Sequence, residues 1–233
     1  PQKTKCMIFR PPRTNLNLNQ DQNGRTYIPL FLNLNEPNEN DISKIIPISL
    51  VPNQDEQAVK LLGIQLDDKL NFKAHFKQLH TKISRAIFSL RQMKHLLDKK
   101  HLLLLYSSYL KSSLDYGSIL FCSVNKTTIK PITILQKKAI RIICNAGFRD
   151  HTAPLFKAEK ILTFEKTIDY NILRFMYDYK NNLLPPYFEH MWRTNNEIHR
   201  YAVRNENDFF IERVNKPFLK CHPLFHFPTL WNS

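Results

Sequence analysis

A helix face is written into residues 72 to 97. Phe72, Phe76, Leu79, Ile83, Ile87, Leu90 and Leu97 return at steps of three and four residues or their sum, so one side of about seven turns is apolar. A stretch of this kind folds only if neighbours cover that side, which commits the chain to a helical core. Its polar remainder is one-sided in charge. From Lys69 to Lys100 nine Lys and Arg stand against a single acid, Asp98, whereas a solvated face normally interleaves both signs. On a helical wheel Lys73, Lys77 and Arg91 fall together beside the apolar stripe, and Lys82 and Arg85 lie on the opposite side.

More helices follow. Asp98 can cap a second one whose residues Leu102 to Tyr106 and Tyr109 to Leu110 are apolar nearly all round, which implies burial. It ends around Tyr116-Gly117 or runs on to Phe121. A third helix can start at Thr128 with Pro131 in its first turn, where the missing amide costs little. Its stripe is Ile132, Leu135, Ala139 and Ile142, with Lys137, Lys138 and Arg141 outside and Gly147 suited to its exit. After a short helix opened by Thr152 and Pro154, Thr163 can cap a longer one carrying Phe164, Ile168, Ile172, Phe175, Met176 and Tyr179, stopped by Pro185-Pro186. From Tyr187 onward the chain is aromatic, Pro-containing and aperiodic, and no regular element is assigned.

The part ahead of these helices has a different grammar. Residues 5 to 10 form a short strand candidate stopped by Pro11-Pro12. Eight asparagines between Asn15 and Asn40, with Gly24, Pro29 and Pro37, favour turns; an irregular insertion is expected there, with a strand near Tyr27 to Leu32. Ile45 to Leu50 and Ala58 to Leu66 are two further strand candidates that would pair as a hairpin, with Gly63 marking a bulge or a close backbone approach. The fold class expected is α+β, mainly α. It comprises a small antiparallel β margin with its insertion over 1–68, a bundle of four or five helices over 69–186, and an irregular segment over 187–233.

Charge indicates where a partner binds. The chain carries 34 Lys and Arg against 20 Asp and Glu; residues 1 to 60 hold seven and six of these, leaving 27 and 14 beyond. A polyanion should therefore meet the later part, phosphate backbones first and anionic lipid second. The four cysteines, Cys6, Cys122, Cys144 and Cys221, stand far apart, against a zinc ribbon or a disulfide framework. Cys221-His222 with His226 lacks a fourth ligand at workable spacing, so no metal site is assigned. Reduced thiols and the lack of an apolar run of about 18 residues point to an intracellular protein, nuclear or cytoplasmic, with no membrane partner. Pro1-Gln2-Lys3 has neither a starting Met nor a signal pattern, as expected of a fragment of a longer reading frame.

No catalytic constellation is legible. The nine histidines are scattered, and four glycines supply no phosphate loop. His75, His80, His95 and His101, on or beside the basic helix, fit surface or phosphate-facing roles better than a proton relay. Tyr106, Tyr109, Phe164, Phe175, Met176 and Tyr179 fit a core better than a stacking platform. What remains is Lys73, Lys77, Lys82, Arg85, Arg91, Lys137, Lys138 and Arg141 as phosphate contacts. Lysine-rich helix flanks hold a nucleic-acid backbone without reading bases.

Five strings stand in a fixed order: Lys3-Thr4-Lys5, Leu62-Gly63-Ile64 with Leu66-Asp67, Leu135-Gln136-Lys137-Lys138-Ala139-Ile140-Arg141, His151-Thr152-Ala153-Pro154-Leu155-Phe156, and Leu230-Trp231-Asn232. Together with Leu114-Asp115-Tyr116-Gly117, and with His199-Arg200-Tyr201 and Arg204, they resemble the region from the end of the palm through the thumb in reverse transcriptases of jockey-like non-LTR retrotransposons. Departures are Leu61 where an aromatic is usual, Phe121-Cys122 where Trp-Gly is usual, and Val203 where Thr is usual.

The resemblance implies an RNA-directed DNA polymerase fragment that binds an RNA-DNA primer-template alongside the remainder of its chain. Leu62, Gly63 and Ile64 would be its primer grip, and Lys3 or Lys5 would lie near the nucleotide. The catalytic carboxylates and their divalent metal, Mg2+, would belong to upstream sequence, so this chain has no catalytic residues and no cofactor of its own and should not polymerise alone. Asp67-Asp68 is then a cap for the basic helix and no substitute for those carboxylates. A non-enzymatic helical module derived from such an element, binding RNA or protein, is the alternative; a plain helical interaction domain is the third reading.

Overall fold

The computed structural model describes residues 19–20, 26–27, 58–67, 70–198, 205–213 and 219–233. The chain packs as two compact units, Pro1–His75 and Phe76–Ser233. The first carries two small antiparallel hairpins. β1 (Asn19–Gln20) pairs with β2 (Thr26–Tyr27) inside the asparagine-rich stretch. β3 (Val59–Leu61) pairs with β4 (Ile64–Leu66) in the register Val59↔Leu66, Lys60↔Gln65, Leu61↔Ile64. Ala58 to Leu66 is thus a hairpin in itself, and no single strand. Its two turn residues, Leu62 and Gly63, have φ of 46° and 86°, the doubly left-handed turn whose twist matches the flanking strands. Gly63 is therefore a turn residue and marks no bulge. The other strand candidates, 5–10, 28–32 and 45–50, lie outside the described residues, as do Lys3, Lys5 and Asp68.

Asp67 fixes the connection that follows. Its carboxylate accepts the amides of Asn71 (3.1 Å) and Phe72 (2.7 Å), and its carbonyl accepts that of Leu70 (3.0 Å). All three amides stand ahead of the basic helix, which starts at Lys73, so Asp67 braces the turn leading into it and makes none of the first-turn bonds expected of a cap from the Asp67-Asp68 pair.

α1 (Lys73–Met93) then begins. Phe76, Leu79, Ile83, Ile87 and Leu90 are buried, as their spacing requires, while the helix stops before Leu97. α2 (Lys99–Leu105) opens on Asp98, whose carboxylate accepts the His101 amide at 3.1 Å. It continues through a π-helical segment, Tyr106–Lys111, into α3 (Ser112–Asp115). The expectation of burial all round fails here: Leu104 and Tyr109 are exposed, and the buried set is Leu102, Tyr106, Leu110 and Leu114.

A strict four-residue step drifts off one face of an α-helix at 3.6 residues per turn, and the wider π turn brings it back. Serines support the widening. Ser108 donates to the Leu105 carbonyl, Ser112 to Ser108 and Ser113 to Tyr109, the back-bonding that loosens a helical ladder. Gly117, at φ 65°, turns the chain into the 3-10 segment Ser118–Ser123.

α4 (Lys126–Ile143) starts two residues ahead of Thr128, which moves Pro131 into the second turn. Its buried face is Ile129, Ile132, Leu135, Gln136, Ala139, Ile140 and Ile143; Ile142 is only half-buried. α5 (Ala153–Ala158) and α6 (Phe164–Lys180) follow.

All three helices exit through left-handed non-glycine residues, Asn145, Lys160 and Asn182, each closed by the paired 6→1 and 5→2 hydrogen bonds of a Schellman end. So Gly147 is not the exit residue of α4, and Asn181-Asn182, ahead of Pro185-Pro186, end α6. On α6, Phe164, Ile168, Ile172 and Met176 lie in the core, where each fully buried side chain contributes about 1.5–3 kcal/mol. Phe76 meets Phe121 edge-on at 5.1 Å.

The last segment is ordered where aperiodicity gave no element. α7 (Asn195–Ile198) is a single turn, and α8 (Pro223–Trp231) packs against α6. Trp192 stacks on Phe227 at 6.0 Å, exchanges hydrogen bonds with the Tyr179 hydroxyl, and donates its indole N–H to the Leu224 carbonyl at 3.0 Å. That carbonyl would have paired with the amide that Pro228 lacks, so Trp192 satisfies the acceptor that makes α8 improbable from sequence. Asn232 closes the chain against Phe209, accepting its amide (3.2 Å) and donating to its carbonyl (2.8 Å).

Candidate nucleic-acid interface

At 100° per residue, Lys73, Lys77, His80 and Arg91 span about 60° of the α1 surface, and all four are exposed. Lys82 and Arg85 are exposed on the other side of the helix. None of these five lysines and arginines is ion-paired among the described residues, whose salt bridges are Lys99 with Glu159 and His101 with Asp98. Unpaired cations along one helix face keep their hydration and their full field, which suits them to a polyanion.

The second expected patch divides three ways. Lys138 is exposed and, with Lys130, lines a groove of about 270 Å³ that His80 of α1 also borders, together with Thr127, Pro131, Ile134 and Leu135. No carboxylate lines that groove, and Lys77, exposed about one turn before His80 on α1, extends its basic border.

Lys137, only half-exposed, borders a different cavity beside α5. Arg141 is committed to holding a loop. Its Nε and Nη2 donate to the Asp150 carbonyl at 3.1 and 2.9 Å, while the Asp150 carboxylate accepts the Gly147 amide at 2.6 Å. Lys130 was missed in sequence; its one signal was its place eight residues, just over two turns, ahead of Lys138.

Leu62, Gly63 and Ile64, the residues expected to form a primer grip, sit at the β3–β4 turn, with Leu62 exposed and Ile64 buried. Among the histidines, His80 and His95 are exposed as expected, and His101 pairs with Asp98. His75 departs from the surface role. It is 8% exposed, and its Nδ1 accepts the Gln65 amide at 3.5 Å.

Burial holds the His75 imidazole below its ordinary value of 6.5. An unfolded chain takes up that proton near 6.5 and the folded one only at lower pH, so the stabilisation is complete above 6.5 and is lost as pH falls through the window beneath it. The urea midpoint should therefore drop between pH 7.5 and 5.5, and His75→Gln should shrink that drop; an unchanged drop would assign it to other groups.

The described cysteines, Cys122, Cys144 and Cys221, are free, and burial pushes the Cys122 thiol up to about 11. His222 uses its Nδ1 to accept the Leu224 amide at the start of α8. No group of three or more His, Cys, Asp or Glu that could hold a metal ion occurs among the described residues, and both Asp67 oxygens are engaged by amides. No helix among the described residues is long and apolar enough to cross a membrane. Of the residues expected in the core and not in a stacking platform, Tyr106, Phe164 and Met176 are core, Phe175 and Tyr179 are half-buried against Trp192, and Tyr109 alone is exposed.

Fold and surface together define a mainly helical protein with small antiparallel hairpins and a basic face shared by two helices. No protein family, curated protein or solved structure matches the chain.

Proposed function

We propose that the chain is the thumb-side part of a non-LTR reverse transcriptase, holding an RNA-DNA primer-template while the metal-binding carboxylates of the polymerase stand upstream. The observation that carries this reading is the groove where His80 of α1 adjoins Lys130 and Lys138 of α4 with no carboxylate in its lining, Lys77 standing exposed about one turn before His80. Cations on helix flanks bind a sugar-phosphate backbone by charge and shape, which is what a thumb requires of a duplex it must slide along. The motif strings in their order support the family; the β3–β4 turn, with Leu62 presented outward, suits a backbone approach to a primer end.

Binding of a labelled RNA-DNA hybrid, followed by fluorescence anisotropy between 50 and 300 mM salt, tests it. Expected is micromolar or tighter affinity at the low end, with log K falling by about 0.9 per phosphate contact for each tenfold rise in salt. Salt-independent binding, or none, overturns the reading.

A further inference from the structure

We propose that the cavity between α4, α5 and the start of α6 binds a small phosphorylated ring compound of the nucleoside polyphosphate class. It is a different place from the α1–α4 groove and lies within the second unit. Four lysines line it, Lys137, Lys157, Lys160 and Lys166, with no carboxylate, and none of the four is ion-paired among the described residues. So many like charges around one concavity repel one another, an arrangement that a polyphosphate turns into a gain.

Thr152 and Thr163 also line it, and neither hydroxyl caps the helix it precedes. Both are therefore available to donate to phosphate oxygens. The rest of the lining is apolar, Phe156, Ile161 and Leu162 among it, a surface suited to a flat ring and of no use to a bare anion. The volume, about 710 Å³, falls in the range of small-molecule sites, about 300–1,000 Å³.

Lys160 closes α5 at the edge of the cavity. It occupies the left-handed exit of α5 at φ 53°, where glycine would be less strained. Replacing Lys160 by glycine therefore removes the charge without straining that exit.

Isothermal titration of the full chain with ATP, in EDTA so that the phosphates keep their charge, tests the site. One ATP per chain is expected, with inorganic tripolyphosphate about tenfold weaker because it forgoes the apolar wall. Lys160→Gly combined with Lys166→Ala should weaken ATP by about tenfold or more, leave the RNA-DNA hybrid affinity unchanged, and hold or raise the melting temperature. Absence of ATP binding, equal binding of tripolyphosphate, an unaltered affinity in the double variant, or displacement of ATP by the hybrid would each overturn the proposal. The last of these would do so while leaving the strand-binding reading intact.

Discussion

Gln136→Leu should destabilise the second unit by about 3 kcal/mol, far more than a surface glutamine would cost, because three polar groups, two of them buried, lose their partner at once. Gln136 is 2% exposed. Its Nε2 donates to the Tyr106 hydroxyl and to the Leu162 carbonyl, both at 2.9 Å, and its Oε1 accepts the Phe164 amide at 2.8 Å. One amide thus joins α4 to the π turn, to the connection between α5 and α6, and to the first amide of α6. That last bond satisfies the first orphan amide of α6, whose Thr163 hydroxyl makes no capping bond.

Leucine nearly matches glutamine in volume and gains something from apolar burial, so the loss measured is mainly that of leaving donors and acceptors dry. Tyr106→Phe removes one partner only and should cost about 1 kcal/mol. Urea unfolding of the two variants separates the cases. A Gln136→Leu midpoint no lower than that of Tyr106→Phe would show that the network adds nothing beyond one bond.

This glutamine marks where sequence reasoning stops. Within α1 every neighbour that matters is three or four residues away, and the stripe from Phe72 to Leu90 was legible position by position, as was Asp98 at the start of α2. Gln136 looks like an ordinary polar helix residue, because its partners stand 26 to 30 positions away. Pro228 argues against α8 until Trp192, 32 residues before Leu224, is seen to satisfy the orphaned carbonyl. Ala58 to Leu66 passed for one strand because a leucine rarely accepts the left-handed conformation that Leu62 adopts.

The candidate surface divides along the same line. Which side chains of α1 are exposed follows from the wheel. That Lys137 and Lys138, adjacent in sequence, border different concavities depends on which other elements line each one, α5 for Lys137 and His80 of α1 for Lys138, and Arg141 was spent on a loop that closes nine residues later.

Reversing three charges on the α1–α4 face, Lys77→Glu with Lys130→Glu and Lys138→Glu, should lower affinity for an RNA-DNA hybrid by about 10²–10³-fold near 0.1 M salt and flatten the salt dependence by about 0.9 log unit for each phosphate no longer neutralised. Each replacement removes an attraction and adds a repulsion. The fold should be indifferent: Lys77 and Lys138 are exposed, and none of the three is ion-paired among the described residues, so the melting temperature should move by no more than about 2 °C.

Lys82→Glu with Arg85→Glu is the decisive control, since it makes the same change in charge per residue on the other side of α1. A general loss of positive field would weaken binding in proportion to net charge in both variants. A phosphate-tracking face predicts a steep loss in the first and a loss below about tenfold in the second. Equal losses per charge would mean that the protein attracts nucleic acid without holding it in any one place, and the thumb assignment would fall with the face that supports it.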